Sequence, residues 1–326
     1  MMNCKSNFSK RTLRIPAEFS RYQTVLVILA FLLIAWGVVA PAFFRPNNIG
    51  NLFISGSVSI LVTVGMCFVL IMGSIDLSVS SVVLFGGDLA VFLINWGMPV
   101  WPAVLLAVFA CACVGFLNGL FITLTKAPAF IITLAMNTIM TGLQYILCAS
   151  GSVQVRDKGF AFFGKGSIGP FSVPILISLL VAFIMGQVLR KTRYGEKVYA
   201  CGANAVAAQY TGIDTTKVRI ISHVTVSALS GLAGVIFLSR IMMSQAGSAI
   251  TYETDAIAAC VIGGVAFSGG DGTVLGAVFG AIVMCVITNG LNVWGLNTYW
   301  QWVAKGIVLL IAVFISEFSA RRAKRE

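Results

Sequence analysis

The chain has 326 residues, of which 58% are hydrophobic and 10% charged, against about a quarter charged in ordinary soluble domains. Apolar stretches of roughly 17 to 25 residues, the length a helix needs to cross a bilayer, recur from Tyr22 to Ser316. That excludes a soluble domain, indicates an all-α polytopic membrane protein, and makes the net charge of +11 a mark of cytoplasmic loops rather than a nucleic-acid footprint.

Lys5, Lys10, Arg11, Arg14 and Arg21 precede the first apolar run, and Ala40-Pro41-Ala42 resembles a cleavage site. The run from Thr24 to Ala40 is longer than a signal-peptide core, and a proline follows at once. Residues 1–22 therefore read as a cytoplasmic tail before a retained span. A single transmembrane domain then covers 23–316, with a basic cytoplasmic tail at 317–326. About ten spans (eight to ten) are expected, at 23–41, 50–72, 77–95, 101–124, 128–149, 173–190, 218–240, 255–268, 273–293 and 298–316. With both termini cytoplasmic, the inner segments hold sixteen of the 22 Lys and Arg residues. The outer segments hold Arg45, Arg156, Lys158, Lys165 and Arg240, and only Lys305 falls well inside a span. This is the positive-inside asymmetry.

The stretch from Met72 to Ser81 interrupts two apolar runs with Gly73, four serines and Asp76, the first acid after Glu18. A carboxylate at a bilayer centre costs about 2.5–3.5 kcal/mol on insertion scales. Two readings avoid that cost. Asp76 caps the helix beginning at Leu77, accepting from Ser78 or Val79, or it lines a wet cavity as an ion or substrate ligand. The segment 262–273 repeats the pattern of glycines, a serine and an acid, so broken or re-entrant helices are expected near 73–78 and 263–273. Gly276 and Gly280 form a small-x-x-x-small face for close helix approach.

Six glycines and prolines within Ala149–Ser172 indicate an irregular external loop (150–172). The segment 190–219 is the longest polar stretch on the basic, cytoplasmic side. Within it, Asn204 to Tyr210 reads as a short helix with Asn204 as N-cap and Gly212 as stop. Asp88 lies in an apolar run and is expected to face the bundle interior. His223, the only histidine, reads as a satisfied structural residue with a proton relay as the alternative, and Lys305 either snorkels or pairs with an acid. Asn137, Asn289, Asn292 and Gln301 offer donors and acceptors suited to sugar hydroxyls, with interhelical hydrogen bonding as the alternative. Together with Asp76 and Ser78 they form the candidate substrate pathway.

Trp294, Trp300 and Trp302 fit an aromatic belt. The eight cysteines show no C-x-x-C spacing, so neither a zinc site nor a disulfide framework is indicated. There is no phosphate loop, H-E-x-x-H or G-x-S-x-G. No catalytic residue and no metal ligand is assigned.

Four ordered motifs resemble the permease of monosaccharide ABC importers of the ribose, xylose and allose type. They are Gly73-Ser74-Ile75-Asp76-Leu77-Ser78-Val79; Pro128-Ala129-Phe130-Ile131-Ile132-Thr133-Leu134; Tyr194-Gly195 through Asn204, Ala207-Ala208 and Gly212-Ile213; and Glu253-Thr254-Asp255 through Gly272-Thr273. The likeness continues through Asn289-Gly290-Leu291-Asn292, Trp300-Gln301 and Lys305-Gly306. Ser74, Ser80, Cys201 and Ala203 depart from the family's usual residues, as do Asn137, Met140 and Asp88.

The resemblance implies a homodimeric permease of the bacterial inner membrane, paired with a cytoplasmic ATP-binding subunit and a periplasmic sugar-binding protein. ATP and magnesium would bind to that partner, and no cofactor to this chain. Gly202, Asn204, Ala207, Ala208 and Gly212 would form the segment that couples to the ATPase. A ribose- or allose-like sugar is the expected cargo, and no nucleic acid is expected. A stand-alone proton- or sodium-coupled transporter using Asp76 and Asp88 is the competing reading.

Overall fold

The computed structural model describes residues 22–148, 151–245, 247 and 251–323. The expected N-terminal tail, apart from Tyr22, and the last three residues of the C-terminal tail lie outside them. The helices in chain order are α1 (Gln23–Val39), α2 (Pro46–Ile71), α3 (Val79–Asn95), α4 (Val100–Thr125), α5 (Ala129–Leu147), α6 (Phe162–Lys165) and α7 (Val173–Lys191). They continue as α8 (Arg193–Ala203), α9 (Ala205–Tyr210), α10 (Thr215–Ile241), α11 (Tyr252–Ile262), α12 (Val274–Val293) and α13 (Thr298–Ala323).

Local chemistry sets several starts. Pro46 and Pro174 sit in first turns, where a missing N–H costs nothing. Asp214 caps α10 by accepting the Lys217 N–H at 3.0 Å, and Thr273 caps α12 through the Gly276 N–H at 3.1 Å.

Each of the ten expected spans overlaps a helix. Six (α2, α4, α5, α7, α10 and α12) are long and apolar enough to cross a membrane by length and composition. The expected span 255–268 is corrected: α11 has 11 residues, about 16 Å of helix, roughly half the hydrocarbon thickness. It ends at Ile262 because Gly263 and Gly264 follow, the latter with φ +83°. The last helix, conversely, runs through Ala323 into the expected tail.

The long helix α10 is the axis, packed against α2, α3 and α4. Small residues permit this: a β-carbon on Gly86 would sit 2.7 Å from the Gly231 Cα, and one on Gly65 2.8 Å from the Val226 Cα. Helices α11 and α12 pack on each other and on α2. The expected Gly276/Gly280 face makes that contact, since a β-carbon on either would collide with the carbonyl of Gly263 or Ala259. From Gly56 to Ile71, α2 is buried at every position except Ser59. By contrast, α1, α4, α7 and α13 expose Phe31, Phe109, Phe183 and Leu310, as hydrocarbon tails require.

The expected irregular loop 150–172 is more ordered than its glycines suggest. It holds a 3-10 turn at Lys158–Ala161, α6, and a hairpin pairing Ser167 with Ser172 and Ile168 with Phe171. Buried Phe160 and Phe163 anchor it, and the Ser239 hydroxyl of α10 donates to the Phe160 carbonyl at 2.6 Å.

Candidate functional site

Between α2 and α3 the backbone leaves the helix from Met72 to Ser78, and the side chains of that break form a closed polar network. Asp76 accepts the Ser78 N–H at 2.9 Å and the Ser78 hydroxyl at 2.5 Å on Oδ1. Its Oδ2 faces His223 Nδ1 of α10 at 2.9 Å and Asn118 Nδ2 of α4 at 3.4 Å. The other ring nitrogen of His223 meets the Ser74 hydroxyl at 3.2 Å, and Asn118 donates to Ser78 Oγ at 2.9 Å. The Leu77 N–H donates to Thr133 Oγ1 of α5 at 3.1 Å.

Asp76, Ser78, Asn118, Thr133 and His223 are all fully buried. The bond expected from the Ser78 N–H to Asp76 is present, but α3 begins at Val79 with Ser78 at its N-cap and no side-chain cap, so Asp76 closes the turn ahead of the helix rather than capping it. Burying a carboxylate is tolerable only where such partners replace water. The network closes the carboxylate off from solvent in this conformation. Asn118 was not singled out from sequence; its signal was a lone amide in an otherwise apolar span.

The break and its echo meet. The Gly270 N–H donates to the Ile71 carbonyl at 2.8 Å, and a β-carbon on Gly269 would lie 2.9 Å from the Gly73 Cα. Gly73, Gly269 and Gly270 all have positive φ (+78°, +87° and +80°), which glycine adopts without strain. Gly202, at the end of α8, closes the cluster: a β-carbon there would collide with the Ile71 carbonyl. Tyr199 of α8 donates to the Gly272 carbonyl at 2.7 Å. The 190–219 segment therefore touches both helix breaks directly.

Within that segment Asn204 caps α9 as expected, its Oδ1 accepting the Ala207 N–H at 3.0 Å, and Gly212 ends the turn at φ +83°. Asn204, Ala207 and Gly212 are exposed, as are Val206 and Tyr210 at 64% and 89%. Ala208 is buried, so it seats the helix on the protein while Val206 and Tyr210 form the open face. The preceding helix α8 was not foreseen, because its sequence reads as a polar connector.

The amides separate. Asn289 and Asn48 exchange reciprocal hydrogen bonds at 2.8 and 3.1 Å, joining α12 to α2, which is the interhelical alternative. Asn137 is half-buried on α5 and Asn292 exposed on α12. Gln301 is buried, donates to the Leu296 carbonyl at 2.9 Å, and lines a cavity of about 290 Å³ between α2, α11, α12 and α13. There Lys305 Nζ meets Asp255 Oδ2 at 2.6 Å, so Lys305 pairs with an acid. Ser80, the residue after the first sequence motif, donates to the Glu253 carboxylate of the fourth. Asp88 is buried as expected and accepts the Gln245 N–H at 3.0 Å. Among the described residues no cluster of His, Cys, Asp or Glu has metal-binding geometry.

The family described as branched-chain amino acid transport system / permease component matches residues 48–313. The ribose import permease of Bacillus subtilis is 36% identical over 289 residues, 88% of this chain and 90% of that protein. That of Haemophilus influenzae is 32% identical over 98% of both chains, and the D-allose transport system permease of Escherichia coli 31% over 96% of both. No solved structure matches the chain. Matched over most of its length and carrying several apolar helices, the chain is a multi-pass inner-membrane protein that belongs to this permease family, among the permeases of monosaccharide ABC importers.

Proposed function

We propose that this chain is the membrane-spanning subunit of an ATP-driven importer that carries a ribose- or allose-like monosaccharide into the cytoplasm. The observation that carries this is the end-to-end likeness to relatives named for ribose, allose and L-arabinose transport. A second copy of the chain completes the path, a cytoplasmic subunit binds ATP and magnesium, and a periplasmic binding protein delivers the sugar. The exposed face of α9 is the part offered to the ATPase. Its neighbour α8 reaches both helix breaks, which supports a mechanical role for that segment.

Closure of the ATPase would then push on α9, and the glycine cluster at Gly73, Gly202 and Gly269 would pass the displacement to α2, α3 and α11. Packed interfaces of this kind move as units rather than deforming smoothly. Within the importer, Gln301 and Asn292 of the candidate pathway lie toward the outer end, whereas Asp76 and Ser78 serve the break.

Reconstitution tests the reading. Proteoliposomes holding this chain with the ATPase and binding protein should accumulate sugar only with ATP. Accumulation by the purified chain alone on a proton or sodium gradient would overturn it.

A further inference from the structure

We propose that the cavity between α2, α11, α12 and α13 is a weak monosaccharide subsite carried within each chain, with Asp255, Lys305 and Trp302 as its recognition groups. This rests on the importer reading and names where in this chain the sugar pauses. The volume of about 290 Å³ holds about ten water-sized groups, the scale of a pentose or hexose.

Its lining matches a neutral polyol. Asp255 spends Oδ2 on Lys305, while Oδ1 is buried with no hydrogen-bond partner among the described residues. An unsatisfied buried carboxylate oxygen is costly, so a small shift of the ion pair that turns Oδ1 toward the cavity would let a sugar hydroxyl satisfy it. Lys305 retains further N–H donors on the same ammonium. Thr251 and Ser55 add hydroxyls, and Gln301, whose NH₂ is used by Leu296, still has its carbonyl oxygen. Trp302, 39% exposed, supplies an apolar face for the C–H side of the ring. The carboxylate and ammonium neutralise each other, so the site favours an uncharged ligand over an ion.

The cavity also has a neighbour. A second space of about 240 Å³ shares Thr251, Asp255, Trp302 and Lys305 with the first. The ion pair thus lines both spaces.

The test titrates the detergent-solubilised full chain with D-ribose and follows tryptophan fluorescence. Saturable quenching with a Kd on the order of 1 mM, removed by Trp302→Phe and not produced by L-leucine, is expected. The double variant Asp255→Asn/Lys305→Gln keeps a neutral hydrogen-bonded pair and so inserts normally; it should bind about tenfold more weakly. Unchanged affinity in that variant, or no saturable response in the parent chain, would overturn the subsite. The importer reading is judged separately by ATP-dependent uptake in the assembled transporter. ATP-driven uptake that is normal in the double variant would reject the subsite and leave that reading intact. Uptake without ATP would reject the importer reading while the titration still decides the cavity.

Discussion

Removing the Asp76 side chain should unfold the middle of the protein rather than tune its transport. In Asp76→Ala the Ser78 N–H and hydroxyl lose an acceptor, and His223 and Asn118 lose the group they converge on. All are buried, so water cannot replace it. Removing one member of a buried hydrogen-bonded pair costs about 3–5 kcal/mol, which is a large part of a typical domain's stability. Asp76→Asn keeps an acceptor for the Ser78 N–H and should cost far less, on the order of 1 to 2 kcal/mol. The assay is denaturant unfolding of the detergent-solubilised chain, run as a double-mutant cycle with His223→Gln. A coupling energy of about 0.5–3 kcal/mol is expected for residues in one network. If Asp76→Ala costs under about 1 kcal/mol and adds to His223→Gln without coupling, the closed network is wrong and Asp76 is hydrated.

Three further outcomes follow from the packing. Ala208→Glu places a charge where α9 seats on the protein and should lower folded yield, whereas Tyr210→Ala should leave folding intact and weaken ATPase stimulation severalfold; equal folded yields would refute the assigned orientation of α9. Asn289→Leu removes the reciprocal amide pair and should cost about 1 kcal/mol, the usual scale of such bonds between membrane helices, and no measurable change in unfolding would mean the pair is not formed. At Asp214, outside the membrane-spanning segments, the Lys217 N–H and side chain hold the carboxyl below its ordinary value. A depressed folded value stabilises above the unfolded one, so the cap should be constant from pH 8 to about 5 and fade only as pH falls below about 4. Hydrogen-exchange protection of the first turn of α10 reads this, and fraying between pH 6 and 7 would contradict it.

Much of the architecture was legible in the chain because hydrocarbon imposes a strong pattern. Every expected apolar run became a helix, since a backbone in lipid must satisfy its own hydrogen bonds. The breaks at 73–78 and 263–273 were legible from glycines beside acids, and the α9 cap from Asn204 three residues ahead of its N–H partner. Hydropathy could not separate a crossing helix from a short buried one, so 255–268 read as a span although the helix there, Tyr252–Ile262, stops at Ile262. Its apolar side chains face protein, not lipid.

Tertiary structure alone decided the partners. Asp76 and His223 are separated by 147 positions and Asp255 and Lys305 by 50. Nothing in local spacing encodes either pairing, because one depends on how α10 passes the break between α2 and α3 and the other on how α13 lies along α11. The sequence alone determined a polytopic helical protein of a sugar-importing family, through composition and ordered motifs. Which buried polar groups answer one another was settled only when the helices packed. In a nearly waterless interior each carboxylate, amide and hydroxyl must find its complement in another segment.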